Sequence, residues 1–423
     1  MEEIDLNVKV GKPFLVRPAE VTQRRPFFLS NFDQNLVFTV ETIHFFGCNG
    51  EEDVAQTVER ALSKLLVPYD YMAGRLKLNS EQGRLEIDCN GEGALFASAS
   101  CDLTIDQLPD IAYPNPAFAQ FILQEYGVSS LQDLPLLFLQ VTRFKCGGFA
   151  LGLGTNHVLL DGIAALDLMK NLAAIAKGQG LAVQPETDRT CLKARSPLKI
   201  THTHLEFTKS SEIPPTITTP LPTSKLSFNL FPISAQMLSR LKGSAQRACS
   251  SFEALTAHLW RAHTVALDSP PDKMSTLLFA VDVRAKMIPA LPKGFAGNAI
   301  FPGYARATAG ELRGAELSWC VQQVQEGIAR VTDEYIRSAI DWLEVYKGVF
   351  CVDRSIVVSP WKKLAFEEVE YPWGKPLYSG PIINSWIDFL LLLPNGKDDG
   401  LNVFIALEEQ QMNKFRSCLY HSY

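Results

Sequence analysis

A histidine with the setting of a proton acceptor lies at position 157, in the order His157-Val158-Leu159-Leu160-Asp161-Gly162. A neutral imidazole, with an ordinary pKa of about 6.5, can take a proton from an alcohol or an amine near neutral pH. Asp161 follows one short turn later and could orient the ring or fix the local fold. Gly162 would let the chain turn sharply and would leave room beside the base. The spacing favours general-base catalysis by His157, and the alternative is an ordinary structural histidine.

The elements around this motif are predicted to place it where a strand ends and a helix begins. Residues 135–142 and 149–155 have the composition of two paired core strands, joined by a turn at residues 145–148. After Gly162, apolar residues recur at helical spacing, at Ala165, Met169, Leu172 and Ala176. Gly178 is well placed to end that helix. Loops at element ends carry function more often than core positions do, so this placement strengthens the catalytic interpretation.

Length and composition indicate an ordinary globular protein with more than one core. The chain has 423 residues, of which 47% are hydrophobic and 20% are charged. A single core stops growing near roughly 250–300 residues, so two domains are expected. The net charge is −6 and no basic run stands out, which argues against nucleic acid as a partner.

Targeting and redox signals point to the cytosol. The acidic N-terminus lacks the long apolar stretch of a secretory signal. The longest apolar run, residues 389–393, is too short for a bilayer, which needs about 20 residues, and it predicts a buried strand and no transmembrane segment. The nine cysteines are scattered without a C-x-x-C pair, which predicts reduced thiols and neither a disulfide framework nor a metal site.

A proline-rich stretch divides the chain into two predicted domains. Residues 184–227 hold six prolines, which disfavour regular structure: Pro185, Pro197, Pro214, Pro215, Pro220 and Pro222. We therefore predict an N-terminal domain at 1–185 that carries the histidine motif, a crossover linker at 186–225 and a C-terminal domain at 226–423. Both halves mix strands and helices, which predicts an α/β protein with two similar domains, each with a mixed β-sheet flanked by helices.

Several segments, in the same order along nearly the whole chain, resemble the BAHD acyltransferase family of plants. The family pattern H-x-x-x-D-G matches His157, Asp161 and Gly162. Five further segments are similar to family segments: residues 139–149 to Q-V-T-x-F-x-C-G-G-F, 91–96 to G-E-G-A-x-F, 251–260 to the helix that opens the second domain, 281–284 to D-x-R, and 291–298 to P-x-G-x-x-G-N. Matches in a common order are far more specific than any one of them.

The family's second signature, D-F-G-W-G, is altered here to Glu370-Tyr371-Pro372-Trp373-Gly374. The resemblance implies structural roles for Trp373 and Gly374, which are unchanged. Glu370 as a second proton acceptor is a minor alternative. Pro372 replaces a glycine, and because proline fixes φ near −65° and lacks an N–H, the loop is expected to bend differently if the family needs a positive φ there.

The resemblance also implies a fold and a mechanism. The fold would be that of chloramphenicol acetyltransferase, with the active site in a channel between the two domains that acyl-CoA and the acceptor enter from opposite faces. His157 would take the acceptor's proton as its oxygen or nitrogen attacks the thioester, without an acyl-enzyme. Asp161 would turn away from the site and pair with Arg284. No permanently bound cofactor is implied; acyl-CoA is a co-substrate, the acceptor is a small molecule, and the protein is expected to be a monomer.

The acceptor is predicted from two short segments. Residues 26–35 resemble the opening of the branch that transfers hydroxycinnamoyl groups to ω-hydroxy fatty acids and fatty alcohols, although the segment could also merely pack the first strand. Lys363 lies near the place where shikimate- or quinate-using relatives have an arginine. A long-chain alcohol or ω-hydroxy acid is therefore expected. The alternatives are another alcohol or amine acceptor, a non-catalytic accessory protein of this fold, and a hydrolase, for which no G-x-S-x-G elbow is present.

Overall fold

A computed structural model of the chain describes residues 4–48, 53–112, 115–123, 130, 132–212, 226–350, 355–382, 389–395 and 399–421. Its strands are, in chain order, β1 (Val8–Val10), β2 (Phe14–Val16), β3 (Pro26–Phe28), β4 (Thr39–Phe46), β5 (Arg75–Asn79), β6 (Arg84–Asp88), β7 (Ala94–Cys101), β8 (Leu137–Phe144), β9 (Phe149–Asn156), β10 (Phe207–Thr208), β11 (Leu226–Ile233), β12 (Met274–Asp282), β13 (Ile300–Thr308), β14 (Val349–Phe350), β15 (Ser355–Ser359), β16 (Tyr378–Pro381), β17 (Phe389–Pro394) and β18 (Leu401–Glu408). Its α-helices are α1 (Val54–Leu65), α2 (Gly162–Ala176), α3 (Ala235–Ser244), α4 (Ser251–Ala266), α5 (Ala309–Gly314), α6 (Leu317–Arg330), α7 (Asp333–Tyr346) and α8 (Glu409–His421).

The chain divides into two compact units, and neither is one continuous segment. Unit 1 comprises Met1–Lys193, Pro292–Asn298 and Leu364–Asn384; unit 2 comprises Ala194–Leu291, Ala299–Lys363 and Ser385–Tyr423. The sequence assigned residues 364–384 to the C-terminal domain, whereas β16 forms backbone hydrogen bonds with β4 of unit 1. The predicted linker at 186–225 remains a prediction, and its residues 213–225 lie outside the described part of the chain.

Unit 1 is built on a mixed sheet in the order β1-β7-β8-β9-β4-β16, with β2 also paired to β7. The strands β7 and β8 run parallel, while β9 runs antiparallel to both β8 and β4. The predicted pair of core strands is thus confirmed: Arg143 and Phe149 face each other beside the turn at residues 145–148. Helices α1 and α2 pack together, and β3, β6 and β5 form a second small sheet.

Aromatic side chains secure β4, the neighbour of the strand that leads to His157. Phe45 lies 5.2 Å from Phe118, 5.8 Å from Phe121 and 6.2 Å from Phe144, measured between ring centroids. Successive residues of a strand point to opposite faces of the sheet, so Phe46 projects to the other side. Burying each such ring contributes roughly 1.5–3 kcal/mol, which anchors the centre of the sheet.

Helix α2 begins and ends where the sequence predicted. It starts at Gly162 and its last helical residue is Ala176. Gly178 follows in the left-handed region, at φ +75°, and its N–H donates to the carbonyl of Ile175. A glycine adopts this conformation without a steric penalty, so it stops the helix at little cost.

Unit 2 contains a second mixed sheet, in the order β11-β18-β17-β15-β12-β13. The pairs β12–β15 and β15–β17 are parallel. Helix α4, which contains residues 251–260, packs against α3, α5, α6 and α8 and carries the fully buried Trp260. The apolar run at 389–393 forms β17, as predicted. Within the described ranges, no helix has the length and apolar character needed to cross a membrane.

Candidate active site

His157 is the first residue after β9, so the end of the central sheet of unit 1 positions it. Its backbone N–H donates to the carbonyl oxygen of Phe38, at 2.8 Å, which extends the ladder between β9 and β4 by one step. The N–H of Leu159 then donates to the carbonyl of Asn156, at 3.0 Å, and turns the chain away from the strand. The motif therefore occupies the predicted strand-to-helix connection.

The imidazole of His157 is partly buried and is surrounded by groups that act on its charge in opposite directions. Removal from water is the largest effect and lowers the pKa of His157 below its usual value of 6.5. The carboxylates of Asp161 and Asp33 and the side chain of Asn298 raise the pKa by less. The atom Nδ1 is buried and forms no hydrogen bond with any described residue. A ring in this state is neutral near pH 7 and can accept a proton.

Phe38 is a neighbour of His157 that no sequence motif indicated. Its ring centroid lies 5.2 Å from that of His157, with the ring planes tilted by 52°. Phe38 is 41% exposed, which is high for a phenylalanine. An exposed apolar surface thus adjoins the imidazole of His157.

Asp161 caps helix α2. Its Oδ1 accepts hydrogen bonds from the backbone N–H groups of Ile163, at 3.1 Å, and Ala164, at 3.0 Å. Asp161 is 2% exposed, and a carboxylate at this position also favours the positive end of the helix dipole. Arg284, its predicted partner, belongs to unit 2, where its NH1 lies 3.2 Å from Oδ1 of Asp282. The pairing of Asp161 with Arg284 remains a prediction.

Gly162 differs from the expectation of a sharp, glycine-specific turn. It has ordinary helical backbone angles and is absent from the residues of positive φ. A Cβ atom at this position would lie 2.7 Å from Cδ1 of Leu364. Gly162 therefore packs closely against the side chain of Leu364.

A buried ion pair holds the loop that follows His157. Arg189 and Asp33 are 1% and 0% exposed, and NH1 of Arg189 lies 3.0 Å from Oδ2 of Asp33. The same guanidinium donates to the carbonyl of Val158, at 2.7 Å, and to the carbonyl of Leu159. Burying a charge is costly unless it is paired and hydrogen-bonded, and these contacts supply a counter-charge and two carbonyl acceptors. Arg189 thereby fixes the backbone of the two residues directly after the histidine.

Asn298 completes this group, which we call the Asp33 network: Asp33, Arg189 and Asn298. The side-chain Nδ2 of Asn298 donates to Oδ1 of Asp33, at 2.7 Å, and to the carbonyl oxygen of His157, at 2.8 Å. In the sequence, Asp33 and Asn298 lie inside the longer segments 26–35 and 291–298, and Arg189 lies in the predicted linker. The proline-rich composition around Arg189 hid a residue that is fully buried.

The altered second signature forms a tight turn. The N–H of Gly374 donates to the carbonyl of Tyr371 and the N–H of Tyr371 donates to the carbonyl of Gly374, both at 3.0 Å. Pro372 occupies the second position of this four-residue turn, where proline is favoured and its missing N–H is not needed. The residue in the left-handed region is Gly374, at φ +95°. The change from glycine to Pro372 is therefore compatible with the loop.

Trp373 packs inside unit 1 as an architectural residue. It is 5% exposed and stacks on Tyr371, with ring centroids 5.4 Å apart and planes 10° from parallel. It meets Phe46 and Phe149 edge to face, at 6.0 and 5.4 Å. These contacts attach the loop to the face of the sheet opposite Phe45.

Glu370 lies at the end of helix α2 that is remote from His157. Its side chain is 67% exposed, and its Oε2 lies 3.7 Å from Nζ of Lys177, directly after the helix. Helix α2 has 15 residues, which span roughly 22 Å at about 1.5 Å per residue, and His157 precedes its other end. The structure brings Asp33, Asn298 and His157 together and leaves Glu370 apart from them.

The Transferase family matches the chain over residues 6–422. Among curated proteins of Arabidopsis thaliana, acyltransferase GLAUCE is 39% identical over 97% of this chain and 95% of its own. Omega-hydroxypalmitate O-feruloyl transferase is 37% identical over 98% of this chain and 93% of its own length. Fatty alcohol:caffeoyl-CoA acyltransferase is 36% identical over 99% of each.

Solved structures share the fold. Vinorine synthase has a TM-score of 0.77 at 19% identity, covering 96% of both chains. TRI101 of F. sporotrichioides, solved with coenzyme A and T-2, has a TM-score of 0.70 at 16% identity, covering 93% of this chain and 97% of that one. The predicted fold class, with mixed sheets flanked by helices, is confirmed.

Proposed function

This chain belongs to the BAHD family of acyl-CoA-dependent acyltransferases, and we propose that it transfers a hydroxycinnamoyl group to a long-chain alcohol or an ω-hydroxy fatty acid. The observation that carries the catalytic part is the setting of His157. Its imidazole follows the end of β9, its pKa is lowered by burial, and the Asp33 network holds its backbone. A base that is neutral and fixed in place suits proton removal from a hydroxyl.

The proposed reaction needs one proton acceptor and no covalent intermediate. Nδ1 of His157 is buried, so Nε2 is the nitrogen that faces the acceptor. Nε2 takes the hydroxyl proton as the oxygen attacks the thioester carbonyl carbon. The tetrahedral intermediate breaks its carbon–sulfur bond, and the leaving thiolate of coenzyme A receives the proton back from His157. Acyl-CoA is consumed as a co-substrate, and no resident cofactor or metal takes part in this scheme.

The acceptor class rests on the relatives and on the apolar surface beside the base. Two relatives at 37% and 36% identity are named for ω-hydroxypalmitate and for fatty alcohols. Phe38 supplies exposed apolar surface next to His157. The segment at 26–35 supports the acceptor class less than its resemblance suggested. Its Phe27 stacks on Tyr71, with ring centroids 4.5 Å apart, and its Asp33 is fully buried. That segment packs within unit 1.

We further propose that the enzyme acts as a monomer in the cytosol. Eight cysteines of the described chain are free thiols, as expected in a reducing compartment: Cys48, Cys89, Cys101, Cys146, Cys191, Cys249, Cys320 and Cys418.

Chain-length dependence tests the acceptor. Each buried methylene contributes about 0.8 kcal/mol, so four of them give about 3 kcal/mol, or more than a hundredfold. With one hydroxycinnamoyl-CoA, kcat/KM should rise from hexanol through decanol to hexadecanol and its ω-hydroxy acid counterpart. Shikimate and spermidine serve as polar controls. A flat response to chain length, or a preference for either control, would overturn the acceptor and leave the acyltransferase assignment in place.

A further inference from the structure

Two buried polar atoms, one on His157 and one on Asn298, have complementary hydrogen-bonding chemistry. Oδ1 of Asn298 and Nδ1 of His157 are both buried, and neither has a hydrogen-bond partner of normal geometry among the described residues. An amide oxygen only accepts, and an imidazole nitrogen donates when it carries the proton. Leaving both unpaired in the interior costs free energy, and one hydrogen bond between them would satisfy both.

The orientation of the Asn298 amide is fixed by its other contacts. Its Nδ2 group has two hydrogens, and both are used, at 2.7 Å to Oδ1 of Asp33 and at 2.8 Å to the carbonyl oxygen of His157. Flipping the amide would place its oxygen against a carboxylate and a carbonyl, which repel it. Asp33 is itself held by Arg189 and by the N–H of Ser30, at 2.6 Å. Among the described side chains of the Asp33 network, Oδ1 of Asn298 is thus the acceptor that has no partner.

We propose that Asn298 is a positioning residue that sets the tautomer and the orientation of the His157 ring. This inference rests on the proposed role of His157 as the base. Its amide oxygen accepts the proton of Nδ1–H, which leaves Nε2 unprotonated and directed at the acceptor hydroxyl. The same amide also donates to the backbone carbonyl of His157. One side chain therefore fixes both the backbone and the ring of this histidine.

The electrostatics of the site agree with this arrangement. The Asn298 side chain acts to raise the pKa of His157, which is the direction expected of an acceptor that stabilises the protonated ring. A neutral amide does this more weakly than a carboxylate would, so burial still keeps the pKa of His157 below its ordinary value. The base is oriented while its ring stays neutral in the resting enzyme.

Nitrogen NMR of the full-length enzyme, labelled with ¹⁵N-histidine, tests the tautomer directly. His157→Gln identifies the signals of His157 by their loss. We expect the Nδ1–H tautomer in the wild-type protein near neutral pH, and a shift towards Nε2–H in Asn298→Ala. An Nε2–H tautomer in the wild type, or an unchanged tautomer in Asn298→Ala, would overturn the proposal. Because no turnover is measured, this outcome is separate from whether His157 is the base.

Kinetics against a matched variant separate positioning from general damage. Asn171 is also a fully buried asparagine of unit 1, and its amide makes three hydrogen bonds, with Tyr69 Oη and with the backbone N–H and carbonyl of Val183. Asn171→Ala therefore removes comparable bonds away from the base. Asn298→Ala should lower kcat about 10–100-fold with unchanged KM, in the range seen when an orienting partner is lost.

The pH profile supplies the second readout. Removing Asn298 takes away a contact that raises the pKa of His157, so the acidic limb of kcat/KM should move to lower pH in Asn298→Ala. Asn171→Ala should lower Tm and leave unchanged both kcat and the pH of the acidic limb of kcat/KM. Equal kcat losses in the two variants, or an unmoved limb in Asn298→Ala, would contradict the positioning role.

Discussion

At residue 157, burial and neighbouring carboxylates act on the imidazole in opposite senses, and burial is the stronger. The pKa of His157 lies below 6.5, so the neutral, proton-accepting form predominates at pH 7. The enzyme should therefore lose activity only as the pH falls below about 6.5, when the ring becomes protonated. If activity already falls at a pH above about 6.5 as the pH is lowered, then another group, or a histidine with a raised pKa, is being titrated.

Replacing the base gives the most direct test at this scale. His157→Ala should lower kcat by roughly 10²–10⁴-fold, the usual contribution of general-base catalysis, with the protein still folded. The exposed His202 offers a control, since His202→Ala removes an imidazole from unit 2. Steady-state rates at saturating substrate and circular dichroism check both variants. Equal turnover in His157→Ala and wild type would remove His157 from the mechanism.

The two proposed roles of Asp161, capping helix α2 and pairing with Arg284, can be tested separately. Asp161→Ala removes the acceptor of two helix N–H groups and should cost about 1 kcal/mol of stability. Asp161→Asn keeps an oxygen for the cap and removes only the charge. If Asp161 pairs with Arg284, then Asp161→Asn and Arg284→Met should be less harmful together than the sum of their separate losses. Melting and kcat are the measurements, and strict additivity would reject the pair while leaving the cap intact.

At the scale of elements, the turn that carries the altered signature provides a reversion experiment. Pro372→Gly restores the family residue at a position that already suits proline. The variant should be less stable by about 0.4–1 kcal/mol, because the unfolded chain gains freedom. Its kcat should not change, since Glu370, which begins this segment, lies at the end of α2 remote from His157. Urea unfolding and steady-state rates check it; a fall in kcat at unchanged stability would show that this turn acts on the site.

Local sequence patterns predicted the elements that carry His157 and not the contacts that support it. The alternation of strands, the turn and the start of α2 at Gly162 follow from short-range periodicity and capping signals. Arg189, Asp33 and Asn298 come from three distant segments, and no local pattern states which remote carbonyl a buried guanidinium will meet. The position of β16 beside β4 depends on long-range pairing in the same way.

At the scale of the whole molecule, unit 1 is assembled from three stretches of chain. The base lies in the first stretch, its supporting Asn298 in the second, and β16, which extends the sheet beside β4, in the third. The longest stretch of unit 1 therefore lacks both the amide that holds residue 157 and one strand of its sheet. If His157 is the base, its support therefore depends on the two later stretches of chain that return to unit 1.

This interleaving has a consequence for recombination between related genes. A hybrid that joins residues 1–193 of this chain to the remainder of a relative would inherit His157, Asp33 and Arg189 from one parent. Its residue at position 298, and the strand that pairs with β4, would come from the other parent. A crossover at this apparent boundary thus mixes two parental sets of contacts around a single histidine, and hybrids that keep residues 292–298 and 364–384 with their own N-terminal parent avoid that mixture.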